Sequence, residues 1–363
     1  MKIPIIYYHS IAPKNPNWNR NFLSIEPELF EIQLKYFKKR YKFITIDEYY
    51  QLKNQGGIKN NYLLLTIDDG FLDNWLYAFP ILKKLNIPAT IFVSPEMVDK
   101  KNTLRVISDN MQENFGYMSW DEMRVMEQSG LINIQSHTMS HTKYFSEDEL
   151  IDFHHPGADC LYPIGNLFPD AKSNYLSNPS FEKLIPYGYP FFKEKSSVIT
   201  KKTSLTDDFV QEILNAFSNY NFSNYNFSTA YKLIEPIYLK YKSKNQILSH
   251  HESEDEYLER LKYEIIESKR IIETKLNKKV NFLCWPHGDN NEISHKIALD
   301  AGYKATTIGK ANVPETIDRI GNRIGVGLFN GSIILGLLKA NLKIMEYNGN
   351  KFGKVVKFMY NKF

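Results

Sequence analysis

Cysteine is scarce in this chain of 363 residues, which has two, Cys160 and Cys284. They are far apart and neither belongs to a CxxC motif, so a disulfide framework is excluded and a reducing compartment is favoured. The sequence also lacks a run of about 18 apolar residues, the length that a membrane span requires. Its first residues, MKIPIIYYHS, contain no apolar region of signal-peptide length. If this start is native, we expect a cytoplasmic protein.

The chain also lacks a large excess of positive or negative charge. The net charge of +4 is too small for a chain of this length to indicate binding to nucleic acid. The content of 43% hydrophobic and 24% charged residues is typical of a soluble globular protein. Aromatic residues are abundant, with 24 Tyr and 23 Phe, which fits either sugar sites lined by rings or ordinary core packing.

Short apolar runs alternate with helical patterns at both ends of the chain. The runs typical of buried strands are Ile3–Tyr8, Phe43–Ile46, Tyr62–Ile67, Ala89–Val93, Leu131–Gln135, Val280–Cys284 and Ala305–Ile308. Helical spacing separates them, at Leu29–Phe37, Asn74–Leu85, Trp120–Ser129, Glu252–Leu276 and Ile293–Ala301. This alternation predicts an α/β fold with a parallel sheet or barrel.

The alternation breaks between residues 143 and 249. This stretch is rich in Pro, Tyr, Asn and Ser, and it contains the tandem repeat SNYNF-SNYNF at Ser218–Phe227. Two copies of five residues do not make a repeat architecture. We interpret 143–249 as an insertion with small helices of its own, such as Asp207–Phe217, which could cover the site, bind part of the substrate or be a passive surface excursion. The catalytic barrel is then predicted at 1–142 and 250–330.

The last segment, 331–363, mixes apolar residues with lysines and contains one acidic residue, Glu346. A basic amphipathic segment of this kind can contact an anionic membrane surface. Packing on the domain with its lysines in water is the simpler interpretation.

Two adjacent carboxylates, Asp68 and Asp69, end the apolar run LLLTI and are followed by Gly70. In α/β sheets, ligands lie at the carboxyl ends of strands. Successive residues there point in different directions, so the two acids can take different roles. Because two carboxylates this close repel each other, the pair predicts a neighbouring cation. Helix capping by Asp69 is the alternative.

Two histidines, His137 and His141, follow another predicted strand in the sequence SHTMSH. Residues four apart lie on one face of a helical turn, which suits both to one metal, although such a pair could also be two surface histidines. Together with one aspartate they make a three-ligand site with an open position for water, which is a catalytic arrangement. The ligand set resembles that of zinc, and iron, cobalt or nickel would also fit.

TIDDG and SHTMSH resemble the first two motifs of the polysaccharide deacetylases, the NodB-homology group of carbohydrate esterase family 4. The opening IIYYHS and the segment Ser119–Glu122 are also similar to family segments. The segment FLCWPHGDNN, Phe282–Asn291, is similar to the third motif of the poly-N-acetylglucosamine deacetylase branch. The resemblance covers about 1–141 and 252–326, and it implies a distorted (β/α) barrel of about seven strands with a large insertion.

The resemblance also implies a function and roles for the site residues. The protein is expected to be a metal-dependent hydrolase that removes N-acetyl groups from an amino sugar in a polysaccharide, a glycan or a lipid- or nucleotide-linked precursor. Carried over residue by residue, Asp68 is the catalytic base, and Asp69, His137 and His141 bind the metal.

The chain departs from the family pattern at two places. Many members carry an arginine in the third motif that orients the base, whereas this chain has Cys284 near that place. Arg323 and Arg319 are the candidates to replace that arginine. Many members also have a C-terminal LxH motif whose histidine is the general acid, but this chain has no histidine beyond residue 295. His9 and His287 are the candidates for the acid, because each follows a predicted strand.

Aromatic residues near the motifs are candidates for binding the substrate. Trp285, Trp120 and Tyr8 could stack on sugar faces, with Pro286 beside the first of them, or they could be core residues. The expected partner is an N-acetylated carbohydrate. Two alternatives stay open: a related amidohydrolase that acts on a formamide, a ureide or another non-sugar amide, and an inert sugar-binding homologue.

Overall fold

The computed structural model describes residues 2–15, 20–56, 61–326 and 333–348. The strands within these ranges, β1 to β15, are Ile5–Tyr8, Ser10–Ile11, Ser24–Ile25, Lys42–Ile44, Tyr62–Ile67, Ala89–Val93, Ile132–Ser136, Lys143–Phe153, Pro190–Ser196, Thr203–Leu205, Leu248–His250, Phe282–Leu283, Ala305–Thr307, Arg319–Ile320 and Arg323–Gly325. The α-helices, α1 to α11, are Pro27–Lys38, Ile46–Gln55, Phe79–Leu85, Trp120–Gln128, Leu161–Leu167, Asp207–Ala216, Phe227–Lys242, Glu254–Lys262, Ser268–Leu276, Glu292–Asp300 and Ile333–Tyr347.

Nine parallel strands form the main sheet, in the order β14-β13-β12-β7-β6-β5-β1-β15, with β4 beside the first half of β5. The two end strands, β14 and β15, do not pair with each other in the described part of the chain. The sheet is therefore a curled, incompletely closed barrel, and the predicted α/β fold of this kind is confirmed. It has nine strands where about seven were expected. The two additional strands, β14 and β15, have two and three residues, which is too short to give a strand pattern.

The side chains of β5 show how the sheet separates two cores. Leu63, Leu65 and Ile67 are fully buried in the cluster between the sheet and its helices, whereas Leu64 is buried in the second cluster, inside the curl. Alternation of this kind is what a strand covered on both faces requires. It also directs Asp68, the residue after the strand, toward the inside of the curl.

One long helix crosses the sheet from residue 254 to residue 276. It consists of α8, a π-helical turn at Tyr263–Glu267, and α9. The predicted capping box is present at its start, where Ser253 and Glu256 bond each other's backbone N–H groups. The turn at Tyr263–Glu267 matters for the site because it places Glu264, a buried carboxylate, against the loop after β7.

Residues 143–250 contain more regular structure than the sequence indicates. β8 and β9 form an antiparallel pair, and α6 packs against α7. Aromatic residues of this region form a separate hydrophobic cluster, which also includes Phe71 and Tyr117 from the barrel part. The sequence did not predict helix α7, because Pro236 lies in its interior and proline normally ends a helix. The insertion boundaries themselves remain a prediction.

Helix α11 is the described part of the C-terminal segment, of which residues 331–332 and 349–363 lie outside the described ranges. Ala340 and Ile344 face the core, whereas Ile334 is 77% exposed and Leu338 is 46% exposed. None of the helices that the structure describes is long and apolar enough to cross a membrane.

Two glycines touch each other in the wall of the cavity described below. Gly309 has φ +60°, and a Cβ atom built on it would lie 2.2 Å from the Gly288 carbonyl oxygen. We expect Gly309→Ala to lower the free energy of unfolding by about 3 kcal/mol, because the left-handed conformation and the forced displacement each cost on the order of 1–2 kcal/mol. Gly302→Ala is the control, since its φ is +84° but its Cβ would meet open space. If urea unfolding gives the same loss of unfolding free energy for both variants, the contact between Gly309 and Gly288 contributes nothing.

Candidate active site

The carboxyl ends of the parallel strands surround a cavity of about 490 Å³. His9 follows β1, Asp68 follows β5, His137 follows β7 and Trp285 follows β12, and all four line the cavity. Parallel strands bring such positions together at one edge of the sheet, as the sequence predicted.

Asp69, His137 and His141 converge on one point. The Oδ1 atom of Asp69 lies 3.0 Å from Nε2 of His141 and 3.4 Å from Nε2 of His137. All three side chains are about nine-tenths buried or more. The predicted helical turn is wrong, because the loop after β7 is not helical and its residues Thr138 and His141 have φ of 63° and 47°. The two imidazoles meet because this loop reverses direction, not because they share a helix face.

Backbone strain is concentrated at this point of the molecule. Asp69, Thr138, His141 and His287 all have positive φ, between 47° and 72°, although none is glycine. Such conformations cost about 1–3 kcal/mol each and persist where the surrounding structure imposes them, often at functional sites.

The three converging side chains fit a divalent metal. Each offers one ligand atom, and the three atoms lie within 4.8 Å of one another. Two imidazole nitrogens and one carboxylate oxygen are a ligand set that leaves a coordination position open. Nδ1 of His137 is 2.7 Å from the Cys284 carbonyl oxygen, a bond that fixes the ring with Nε2 directed at the site.

Asp68 lies next to the metal-ligand group and is bonded to an arginine. Its Oδ1 atom accepts a hydrogen bond of 2.6 Å from Nη1 of Arg323, whose guanidinium also lies over the ring of Tyr7. Burial raises the pKa of Asp68, but the positive charges of Arg323 and His137 lower it by more than burial raises it. The pKa of Asp68 therefore lies below its ordinary value. Of the two arginine candidates, Arg323 is therefore the one at the site, since Arg319 pairs with Glu292 instead.

His9 lies on the other side of Asp68, with its Nε2 atom 4.0 Å from Oδ2 of the carboxylate. Its backbone carbonyl accepts a hydrogen bond from Asn74, which also donates to Asp73. Asp73 in turn accepts bonds from the Ser10 hydroxyl and a backbone N–H, and burial raises its pKa to about 6. This buried network holds the His9 loop against the sheet.

His287, the other candidate acid, lies against His141 of the metal-ligand group. Its ring centroid lies 4.7 Å from that of His141, and its Nε2 atom is 3.4 Å from the hydroxyl of Tyr162. Burial, together with His141 and Lys143, holds its pKa well below the ordinary value.

Glu264 clamps the loop that carries the histidines, and the motifs did not reveal it. Its carboxylate accepts hydrogen bonds from the backbone N–H groups of Met139 and Ser140, at 3.1 and 2.9 Å. It also accepts bonds from the hydroxyls of Ser140 and Ser197. A signal was present in the sequence, because residue 264 lies on the apolar face of the long helix.

The aromatic residues predicted to bind sugar take different places. Tyr8 is buried, donates to Gln33 and does not line the cavity, because the alternation of β1 turns Tyr7 toward the inside instead. Trp120 packs on the core beneath the sheet, and neither it nor Pro286 lines the cavity. Trp285 lines the cavity, but its ring is fully buried and cannot stack on a sugar. Its indole N–H has no partner among the described residues.

The fold and the site define a parallel α/β protein with a buried Asp-His-His group at the carboxyl edge of its sheet. Comparison with known proteins points to the same family as the sequence motifs. The family model for polysaccharide deacetylase matches residues 56–153 and 239–306. The chain is therefore similar to the polysaccharide deacetylase family over these residues, as its motifs predicted.

Three relatives illustrate the similarity. A poly-beta-1,6-N-acetyl-D-glucosamine N-deacetylase of Staphylococcus aureus is 30% identical over 212 residues, 57% of this chain and 66% of the relative. The protein YxkH of Bacillus subtilis is 28% identical over 180 residues, 45% of this chain and 57% of the relative. These matches span less than two thirds of either relative. The solved structure of a de-N-acetylase from Aggregatibacter actinomycetemcomitans has a TM-score of 0.53 at 17% identity, covering 92% of this chain and 99% of that one, and so shares the fold.

Proposed function

We propose that this protein is a metal-dependent N-deacetylase that releases acetate from N-acetylated amino sugars of a polysaccharide or glycan. The observation that carries the proposal is the separation of two adjacent acids, with Asp69 facing two imidazoles and Asp68 facing an arginine. The match to the polysaccharide deacetylase family model and the deacetylase names of the relatives support it.

Asp68 is the proposed base. Amide hydrolysis requires water to lose a proton as it attacks, and Asp68 lies beside the metal-ligand group with one oxygen, Oδ2, not bonded to Arg323. The lowered pKa keeps the carboxylate ionised at neutral pH and ready to accept that proton. Arg323 fixes its orientation, which takes the place of the arginine missing from the third motif.

His9 is the proposed donor of the proton that the departing amine requires. It lies 4.0 Å from the base, its side chain is 25% exposed, and it lines the cavity. A donor close to the base can reach the nitrogen of the same scissile bond. His287 is already in contact with Tyr162 and His141, which restricts it to positioning.

The remaining groups polarise and orient the amide. A divalent metal held by Asp69, His137 and His141 would polarise the carbonyl and lower the pKa of water. Zinc is the proposed ion, with iron, cobalt or nickel as alternatives for the same ligands.

Contact with an anionic membrane surface through the C-terminal segment is a further part of this proposal. The outward residues Ile334 and Leu338 on α11 support it, since they form an apolar face next to a basic segment.

Acetate release tests the proposed function. We expect the zinc-loaded protein to release acetate from β-1,6-linked N-acetylglucosamine oligomers, and we expect a chelator to abolish the release until zinc is restored. The measurement is an enzymatic acetate assay with parallel metal analysis. A panel of formamides and ureides is the comparison. Turnover of the panel without turnover of acetylated sugars would replace the proposal by a non-sugar amidohydrolase, and metal binding without any turnover would favour an inert homologue.

A further inference from the structure

Tyr162 connects the metal-ligand group with two cations. Its ring lies 6.4 Å from that of His141, centroid to centroid. The guanidinium of Arg20 lies 5.2 Å from the centre of the Tyr162 ring, and the ammonium of Lys143 lies 5.1 Å from it. All of these residues line the same cavity, so the two positive groups lie one ring away from a metal-binding histidine.

Arg20 is buried with donor capacity left over. Its side chain is 7% exposed, and one Nη atom pairs with Asp159 at 2.7 Å. Its Nε atom is buried and has no partner among the residues that the structure describes. Because a buried N–H is normally bonded, a vacant one in a cavity wall indicates a missing acceptor.

Lys143 has no carboxylate paired with its ammonium in the described ranges, although the residue is half-buried. Its charged neighbours are two cations, Arg20 and Lys310, and two acids, Glu194 and Asp289. Burial raises the pKa of Glu194 to about 7, so this acid is only partly ionised at neutral pH. The positive charge of Lys143 is thus poorly compensated.

We propose that Arg20 and Lys143 form an anion subsite, which binds a phosphate or carboxylate group that the substrate carries close to its N-acetylated sugar. Arg20 supplies a fixed donor, and Lys143 supplies a charge that an anion neutralises. The substrate class is therefore an acidic N-acetylated glycan or precursor. This inference rests on the proposed function because it concerns the same cavity, but binding tests it independently of turnover.

The experiment is titration calorimetry on the full zinc-loaded chain. The probes are N-acetylglucosamine, N-acetylglucosamine 6-phosphate, N-acetylglucosaminuronic acid and inorganic phosphate. We expect at least one acidic sugar to bind about tenfold more tightly than the neutral sugar, the effect of one hydrogen-bonded charge pair. The two acidic sugars separate phosphate from carboxylate recognition. Inorganic phosphate shows whether the subsite accepts a free anion.

Variants of Lys143 assign the preference to this subsite. Lys143→Gln is expected to reduce the tenfold preference to twofold or less, and Lys143→Arg is expected to retain it. Lys296→Gln, an exposed site with the same loss of charge, is the control and should behave as wild type. The preference should also survive treatment with EDTA, whereas an anion bound to the metal would lose it.

Equal binding of neutral and acidic sugars to the wild type would overturn the inference, as would a preference that Lys143→Gln leaves intact or that EDTA removes. If the charge preference holds but no acetate is released, the proposed function fails and the subsite stands. If acetate is released from neutral sugars and the preference for acidic sugars is absent, the anion subsite fails and the proposed function stands.

Discussion

Asp68→Asn is expected to lower kcat for acetate release by about 1,000-fold, within the range of effects attributed to a positioned general base. Asparagine keeps the shape of the side chain and its hydrogen bond to Arg323 but cannot accept the proton of water. Because Asp69 and both histidines are untouched, the zinc content should stay at the wild-type level. The measurements are single-substrate kinetics and metal analysis of the same preparation.

Asp121→Asn is the matched control for this prediction. Asp121 is a surface aspartate that pairs with Arg124 in the first turn of α4, and its loss should leave kcat unchanged. Since Asp68→Asn also leaves the buried Arg323 without a negative partner, the unfolding temperature must be compared to separate misfolding from lost chemistry. An Asp68→Asn protein that is folded, zinc-loaded and fully active would remove Asp68 from the role of base.

The apolar runs, together with the polar residues that follow them, were sufficient to predict the edge of the sheet at which the site lies. Tyr62–Ile67 is a strand with the predicted bounds, and Asp68 follows it because the apolar run stops there. The sequence also predicted that Asp68 and Asp69 point in different directions, and the two side chains do contact different partners. Asp69, however, has φ 72° and lies in the turn after the strand, so strand alternation alone does not explain its direction.

The geometry of the histidine loop could not be predicted in the same way. Spacing of four residues suggested a helical turn, yet His141 reaches Asp69 through a left-handed backbone conformation. Local propensity alone does not fix that conformation for histidine, so contacts from distant parts of the chain must impose it. The spacing of four residues correctly predicted that His137 and His141 lie close together, but it wrongly attributed this to a helical turn.

The wall formed by Arg20, Lys143 and Tyr162 had no sequence signal. These residues come from the N-terminal part and from the region interpreted as an insertion, and they meet only in the folded chain. Because each is an ordinary residue type without a characteristic spacing, pattern alone cannot select them. Two residues of the predicted insertion 143–249, Lys143 and Tyr162, line the cavity.

Glu264→Ala is expected to loosen the histidine loop and to weaken metal binding at least tenfold, as loss of groups that orient metal ligands does elsewhere. The substitution leaves the buried N–H groups of Met139 and Ser140 without their acceptor. We expect a loss of roughly 3 kcal/mol in the free energy of unfolding, since each unsatisfied buried group costs about 1–3 kcal/mol.

Two comparisons separate this role from a general loss of stability. Glu259→Ala changes an exposed glutamate of the same long helix and should alter neither property. Glu264→Gln retains an acceptor oxygen and should recover part of the zinc affinity, measured by competition with a chromogenic chelator at a temperature where all variants are folded. If Glu264→Ala destabilises the protein yet binds zinc as tightly as the wild type, the clamp on the loop has no effect on the metal site. The strained backbone at His141 would then have to be imposed by the sheet and by the residues around Tyr162 alone.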